Sequence, residues 1–350
     1  MGSSLYLEIS EQELERLVSE TLSARLLSAR ILTGGLFNTT YLLDICQKPG
    51  DISGGISGKE DAEGDSTERV VLRLGPVNRH LLMPFEHRLM EAETEVYALC
   101  ETNGIPASQV LAVDTSKKLI DRDLMFVRYI PARPLSELSM EPDAMAAVCR
   151  EIGEATAKFH TIRAPRFGRI VDVREGKGFD SWSEALNHEL MEWEQVGVPA
   201  LIFEEAEYEK IRRIFRETAP YLDEIRIPRL VHTDLWFGNI LVSTADGAPR
   251  LAAIIDADRA LWGDPYFDFS SICWSHSSDS FWEGYGNQLP MDEASVIRRG
   301  VYTLLNRLWN TYVYFCEYNQ PEDGCEEREK IRDLIRELEQ LMAAGKGEGI

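Results

Sequence analysis

The stretch Leu230-Val-His-Thr-Asp-Leu-Trp-Phe-Gly-Asn-Ile-Leu-Val242 decides how this chain is read. An apolar pair precedes His232 and an Ile-Leu-Val run follows Asn239, so both flanks read as strand. The short polar loop between them carries His232, Asp234 and Asn239. Seventeen residues past Asn239 a second apolar run, Leu251 to Ile255, ends in Asp256. Asp five before Asn, then Asp at the tip of the next strand, is the set that phosphoryl transfer needs. One carboxylate takes the proton of an attacking hydroxyl, while the amide and the second carboxylate hold magnesium on nucleotide phosphates. Two other readings stand beside it. One is a polar turn without chemistry; the other is a hydrolytic metal site of His232, Asp234, Asp256 and Asp258, for which no second histidine is supplied.

Beyond the loop come Ile254-Ile-Asp-Ala-Asp258 and Gly263-Asp-Pro-Tyr-Phe-Asp268. With these motifs the chain resembles the aminoglycoside phosphotransferases and the related choline, fructosamine and homoserine kinases, which share a fold with protein kinases. The resemblance runs from about residue 28 to about residue 320. It implies an α+β, two-lobed protein-kinase-like fold: an N-lobe over 1–130 with an antiparallel sheet and one helix, and a larger, mostly helical C-lobe over 131–350.

The resemblance also implies roles. Asp234 is the base that orients and deprotonates the acceptor hydroxyl. Asn239 and Asp256 are the magnesium ligands, and Asp258 is a further candidate for the metal or for loop geometry. His232 holds the loop by bonding backbone. Asp268 buttresses the loop by accepting backbone N–H bonds, or else caps the helix that follows. Gly34, Gly35, Asn38 and Thr39 match the loop that covers the nucleotide phosphates, where small residues let backbone N–H groups approach. Arg73 stands where protein kinases keep a lysine, and Arg is not a drop-in for Lys. Its expected ion-pair partner is Glu93, with Glu91 and Glu95 on the same helix as alternatives. Backbone groups around Arg128, Tyr129 and Ile130 would bind the base of ATP or GTP, which sequence does not separate. Trp274, Asp279, Trp282 and Glu283, with His276, Trp309 and Tyr312, are either acceptor-site residues or C-lobe core. Aromatics beside carboxylates suit an ammonium group.

The implied activity is transfer of the ATP or GTP γ-phosphate to a hydroxyl of an aminoglycoside-like compound, an amino alcohol such as choline, or a sugar. A nucleotide-binding pseudokinase is the alternative that Arg73 leaves open. Protein kinase activity fits poorly. No Gly-x-Gly-x-x-Gly precedes Arg73, Asp256-Ala-Asp258 stands in place of Asp-Phe-Gly, and no Ala-Pro-Glu follows.

The bulk numbers agree with an enzyme of this kind. The 350 residues suit one two-lobed unit or two domains. No apolar run approaches the ~20 residues needed to span a bilayer, and no basic region followed by an apolar stretch opens the chain. Six scattered cysteines (46, 100, 149, 273, 316, 325) point to a reducing compartment, hence the cytoplasm. A net charge of −22 argues against nucleic acid and anionic membranes as partners, and suits a small-molecule, cationic acceptor if the charge gathers near a cleft. The alternative is solubility alone.

Periodicity sets the remaining expectations. A helix is expected over 10–27, opened by a Ser10/Glu13 capping box, and then a hairpin across Gly34-Gly35. Residues 46–69, rich in glycine and acids, read as a surface insertion. A strand follows over 69–74, a helix over 83–102, and strands near 109–114 and 124–130. Helices are then expected over 141–162, 181–195, 204–223, 266–284, 291–318 and 325–343.

Overall fold

The structure, a computed structural model, describes residues 3–32, 35–47, 59–60, 66–245, 247–270 and 279–347. Gly34, Trp274, His276 and most of the glycine-rich insertion lie outside the described residues. The chain divides into two units. The first joins Met1–His80 to Ser108–Pro131, and the second joins Leu81–Ala107 to Ala132–Ile350. The sequence division at 130/131 would place the 83–102 helix in the first unit; it lies in the second.

In the first unit, α1 (Glu11–Leu22) begins at Ser10, whose Oγ accepts from Glu13 N–H while Glu13 accepts from Ser10 N–H. It stops five residues short of the expected end. Ser23 adopts φ 54°, a left-handed cap that turns the chain, and β1 (Ala24–Leu32) starts at once. Then come β2 (Thr39–Gln47), β3 (Lys59–Glu60), β4 (Ser66–Leu74), β5 (Val110–Asp114) and β6 (Leu124–Arg128). They form one antiparallel sheet in the order β1-β2-β4-β6-β5, with β3 paired to β4. Val70, Leu72 and Leu74 alternate onto one face and are fully buried with Leu17 and Val18 of α1. Each such side chain contributes roughly 1.5–3 kcal/mol.

The second unit starts with a 3₁₀ segment, Pro84–Arg88, and α2 (Leu89–Thr102). After β7 (Arg133–Pro134) come α3 (Pro142–Phe159), β8 (Gly168–Arg169), α4 (Ile170–Arg174), α5 (Trp182–Gly197) and α6 (Glu205–Leu222). Next are β9 (Arg229–Val231), β10 (Ile240–Ser243), β11 (Arg250–Ile254) and β12 (Leu261–Gly263). The 3₁₀ segment Pro265–Ser270 and α7 (Asp279–Tyr285) flank the undescribed middle of the expected 266–284 helix. The unit ends in α8 (Glu293–Tyr312), a π turn over Val313–Glu317, and α9 (Pro321–Gly347).

Two small three-stranded sheets, β11-β10-β7 and β8-β12-β9, carry the polar loop between β9 and β10. Behind them Trp182, Trp193, Phe215, Tyr302 and Trp309 form the core. Trp309 and Tyr312 are thus core residues, at 2% and 5% exposure. Gly263 is required here: a Cβ on it would lie 2.5 Å from the Trp182 ring. Gly153 and Gly284 let α3 and α7 touch backbone to backbone. A Cβ on either would fall about 2 Å from a carbonyl oxygen of the other helix.

Candidate active site

His232 follows β9 and is 1% exposed. Its Nε2 lies 3.0 Å from Ile255 O, and its Nδ1 accepts from Asp234 N–H at 3.3 Å. A carbonyl only accepts, so Nε2 carries the proton and the ring ties the loop to the end of β11. The next residue, Thr233, has φ 68°, a strained setting for a β-branched residue. Asp268 compensates: its Oδ2 accepts from His232 N–H at 3.0 Å and its Oδ1 from Thr233 N–H at 2.7 Å. His160, at the end of α3, donates from Nε2 to the same carboxylate at 2.9 Å and faces Tyr285 Oη through Nδ1. Thr233 Oγ1 donates to Arg259 O at 3.0 Å.

Asp234 is left as the loop's solvent-accessible carboxylate. Asn239 Nδ2 donates to its Oδ2 at 3.0 Å and to its backbone oxygen at 2.9 Å. The surrounding protein pushes the Asp234 carboxyl up to about 6 by desolvation, against the pull of Arg259 and with the repulsion of Asp256. Because Asn239 uses its amide nitrogen on Asp234, its oxygen is the atom it offers outward.

Asp256 has φ 63°, and its N–H donates to Tyr97 Oη at 3.0 Å. Tyr97 in turn donates to Glu93. This chain of bonds ties α2 to the end of β11. It brings the Glu93, Asp256 and Asp258 carboxylates together, with one oxygen of each within 4.8 Å of the others. Three carboxylates so close repel one another, and the hard oxygen set suits a small divalent cation such as magnesium.

Residues 57–294, more than half of the chain, match the family described as the phosphotransferase enzyme family. The chain belongs to this family. It is a phosphotransferase, and its α+β, two-lobed, kinase-like fold recurs in solved relatives of low identity. A protein assigned as a fructosamine-3-kinase, from Thermobifida fusca, is 15% identical with a TM-score of 0.64; the match covers 95% of this chain and 100% of that one. A thermostable mutant of aminoglycoside phosphotransferase APH(4)-Ia, in ternary complex with AMP-PNP and hygromycin B, is 15% identical at a TM-score of 0.61, covering 93% and 98%. The streptomycin–ATP–APH(2")-IIa ternary complex is 13% identical at 0.60, covering 93% and 97%. No curated protein matches the chain.

The other candidate residues of this phosphotransferase are spread more widely. In the first unit Gly35 and Asn38 lie in the β1–β2 turn. Thr39 is fully buried. Its Oγ1 bonds Leu7 N–H and O and accepts from Arg122, so no part of that hydroxyl is left for a ligand. Arg73 sits on β4 opposite Thr40 and Met125. Arg128 pairs with Glu68 at 3.2 Å, and the Arg128 and Tyr129 N–H groups already bond Gln109 O and Arg69 O. Ile130 is half-buried.

In the second unit Trp282 packs edge-on against Phe269, Phe281 and Tyr285, and Glu283 pairs with Arg150 on α3. Asp279 is exposed at the start of α7. Among the described residues no helix is long and apolar enough to cross a membrane, and the cysteines at 46, 100, 149, 316 and 325 form no disulfide.

Sequence reading missed His160, Tyr97, Arg259 and the exposed Trp236, whose ring covers Gly238. A single His closing an apolar helix, or a Tyr four residues after a Glu, carries no pattern that distinguishes it from core.

Proposed function

We propose that this phosphotransferase moves the γ-phosphate of ATP, or of GTP, to a hydroxyl of a small amino- or hydroxy-compound. Asp234 is the residue that meets the acceptor. The observation that carries this reading is the fixed pair of Asp234 and Asn239 on a loop whose backbone is clamped by Asp268. Asp234 orients the acceptor hydroxyl and takes its proton on the carboxylate as the bond to phosphorus forms. Desolvation by the surrounding protein, which raises its carboxyl to about 6 while the side chain stays accessible to an acceptor, makes it a better proton acceptor than an ordinary aspartate and keeps it ionised at neutral pH.

Asn239 and Asp256, with Asp258 beside them, are the residues that would hold magnesium. When bound, the ion neutralises charge on the phosphate oxygens. The oxygen-only donor set and the mutual repulsion of Glu93, Asp256 and Asp258 support a cation at Asp256 and Asp258. An amino-bearing acceptor fits the chain's net charge of −22, and the similar structures solved with hygromycin B and streptomycin support a small-molecule acceptor.

Calorimetry of ATP binding with and without magnesium tests the metal assignment. Magnesium should strengthen binding to the wild type but not to Asp256→Ala. Equal magnesium dependence in both proteins would refute it.

A further inference from the structure

One buried acid lies outside this machinery. Glu317 closes the π turn after α8 and is 0% exposed. A π turn is rare and is frequently found at functional sites. Among the described residues no N–H or O–H donor reaches either Glu317 oxygen. Its side chain instead interacts with another carboxyl, that of Glu86.

Glu86 is differently placed. Its Oε1 accepts from Arg259 Nη2 at 2.7 Å and its Oε2 from Met83 N–H at 2.9 Å. Two carboxylates in contact, shielded from water, bond only if one of them carries a proton. Glu86 already has two donors and Glu317 has none, so the proton belongs on Glu317.

We propose that Glu317 is a protonated positioning residue, which donates its proton to Glu86 and leaves the pair with one negative charge opposite Arg259.

The pair would then balance Arg259 one to one and fix where it stands. Arg259 matters because its carbonyl receives Thr233 Oγ1 at 3.0 Å and Arg169 Nη1 at 2.8 Å, so its backbone supports the Asp234 loop. The other titratable groups around Glu317 are Tyr312 from α8 and its own neighbours Cys316 and Tyr318. All three are pushed up by burial, so they add no charge at neutral pH. Burial and the Glu86 charge likewise push the Glu317 carboxyl well above the ordinary glutamate range, against the pull of Arg259. A carboxyl raised on folding contributes stability at low pH, and that contribution is lost as pH rises from the unfolded value toward the folded one.

The test needs no acceptor. Infrared difference spectra of wild type against Glu317→Gln at neutral pH should show a protonated-carboxyl C=O band lost in the variant. Thermal unfolding should support it: wild type should lose stability more steeply than Glu317→Gln as pH rises above the ordinary glutamate range. The amide mimics the protonated acid, so the variant keeps the bond to Glu86 and folds. Absence of the band in wild type, or equal pH slopes in the two proteins, would overturn the proposal. Neither result depends on what Asp234 phosphorylates.

Discussion

Asp268 accepts the backbone N–H of Thr233 at 2.7 Å and so holds in place a residue forced into φ 68°. The strained residue lies directly before Asp234, so the buried Asp268 carboxylate fixes the backbone on which the proposed base stands. In Asp268→Ala, two backbone N–H groups and His160 Nε2 lose their acceptor. Each loss costs about 1–3 kcal/mol when the group stays buried. A large drop in unfolding free energy is expected by urea titration, with Asp268→Asn falling between the two. A loss below ~1 kcal/mol would mean that the loop holds itself.

The buried pair of Arg169 and Glu189 should be equally sensitive. Arg169 also stacks on Phe85, with its guanidinium 3.6 Å from the ring centroid. Arg169→Met leaves Glu189 as a buried charge without its cation, which typically costs about 3–5 kcal/mol. Replacing both residues with apolar ones should recover much of that loss. Chemical denaturation of the single and double variants checks the asymmetry.

The α3–α7 contact has no room to spare. A Cβ at Gly153 would lie 2.2 Å from Phe281 O. Backbone cannot swing aside as a side chain can, so Gly153→Ala should destabilise by at least ~1–3 kcal/mol. Gly176→Ala is the contrast: a Cβ there meets nothing, and its cost comes only from φ +78°. Thermal midpoints of the two variants should separate clearly.

Activity should follow the ionisation of Asp234. The proton acceptor must be ionised, so kcat/KM should fall as pH drops through about 6. Magnesium beside Asp256 should move that limb to lower pH, because a cation favours the carboxylate. In the metal-free protein the raised Asp234 carboxyl binds more protons folded than unfolded. Its contribution to stability is therefore present at low pH and lost as pH rises from the ordinary aspartate range through about 6. A pH–rate profile and metal-free melting curves check the two directions.

What was legible in the sequence was local. His232, Asp234, Asn239 and Asp256 stand at fixed spacing between apolar runs, and strand–loop–strand geometry turns that spacing into proximity. Alternation in β4 and the Ser10/Glu13 box announced their elements in the same way. The end of α1 was not legible, because Ser23 stops the helix through a left-handed φ that Gly or Asn would announce and Ser does not. Nor were partners distant in the chain. Tyr97 meets Asp256 N–H across 159 positions, and Glu86 meets Arg259 across 173. Such contacts depend on how α2 and the 3₁₀ segment before it pack, which periodicity does not encode. The same holds for Thr39, whose place a few residues after Gly34-Gly35 suggests a ligand while its hydroxyl, at the start of β2, serves Leu7 and Arg122.

The proposed function stands on Asp234 taking the proton of an acceptor hydroxyl. ADP release from magnesium–ATP, measured across aminoglycosides, other hydroxylated antibiotics, amino alcohols and sugars, with Asp234→Ala alongside wild type, tests it most directly. Acceptor-dependent turnover should fall by about 10²–10⁴-fold in the variant while ATP still binds. Acceptor-dependent turnover of equal rate in both proteins would contradict it.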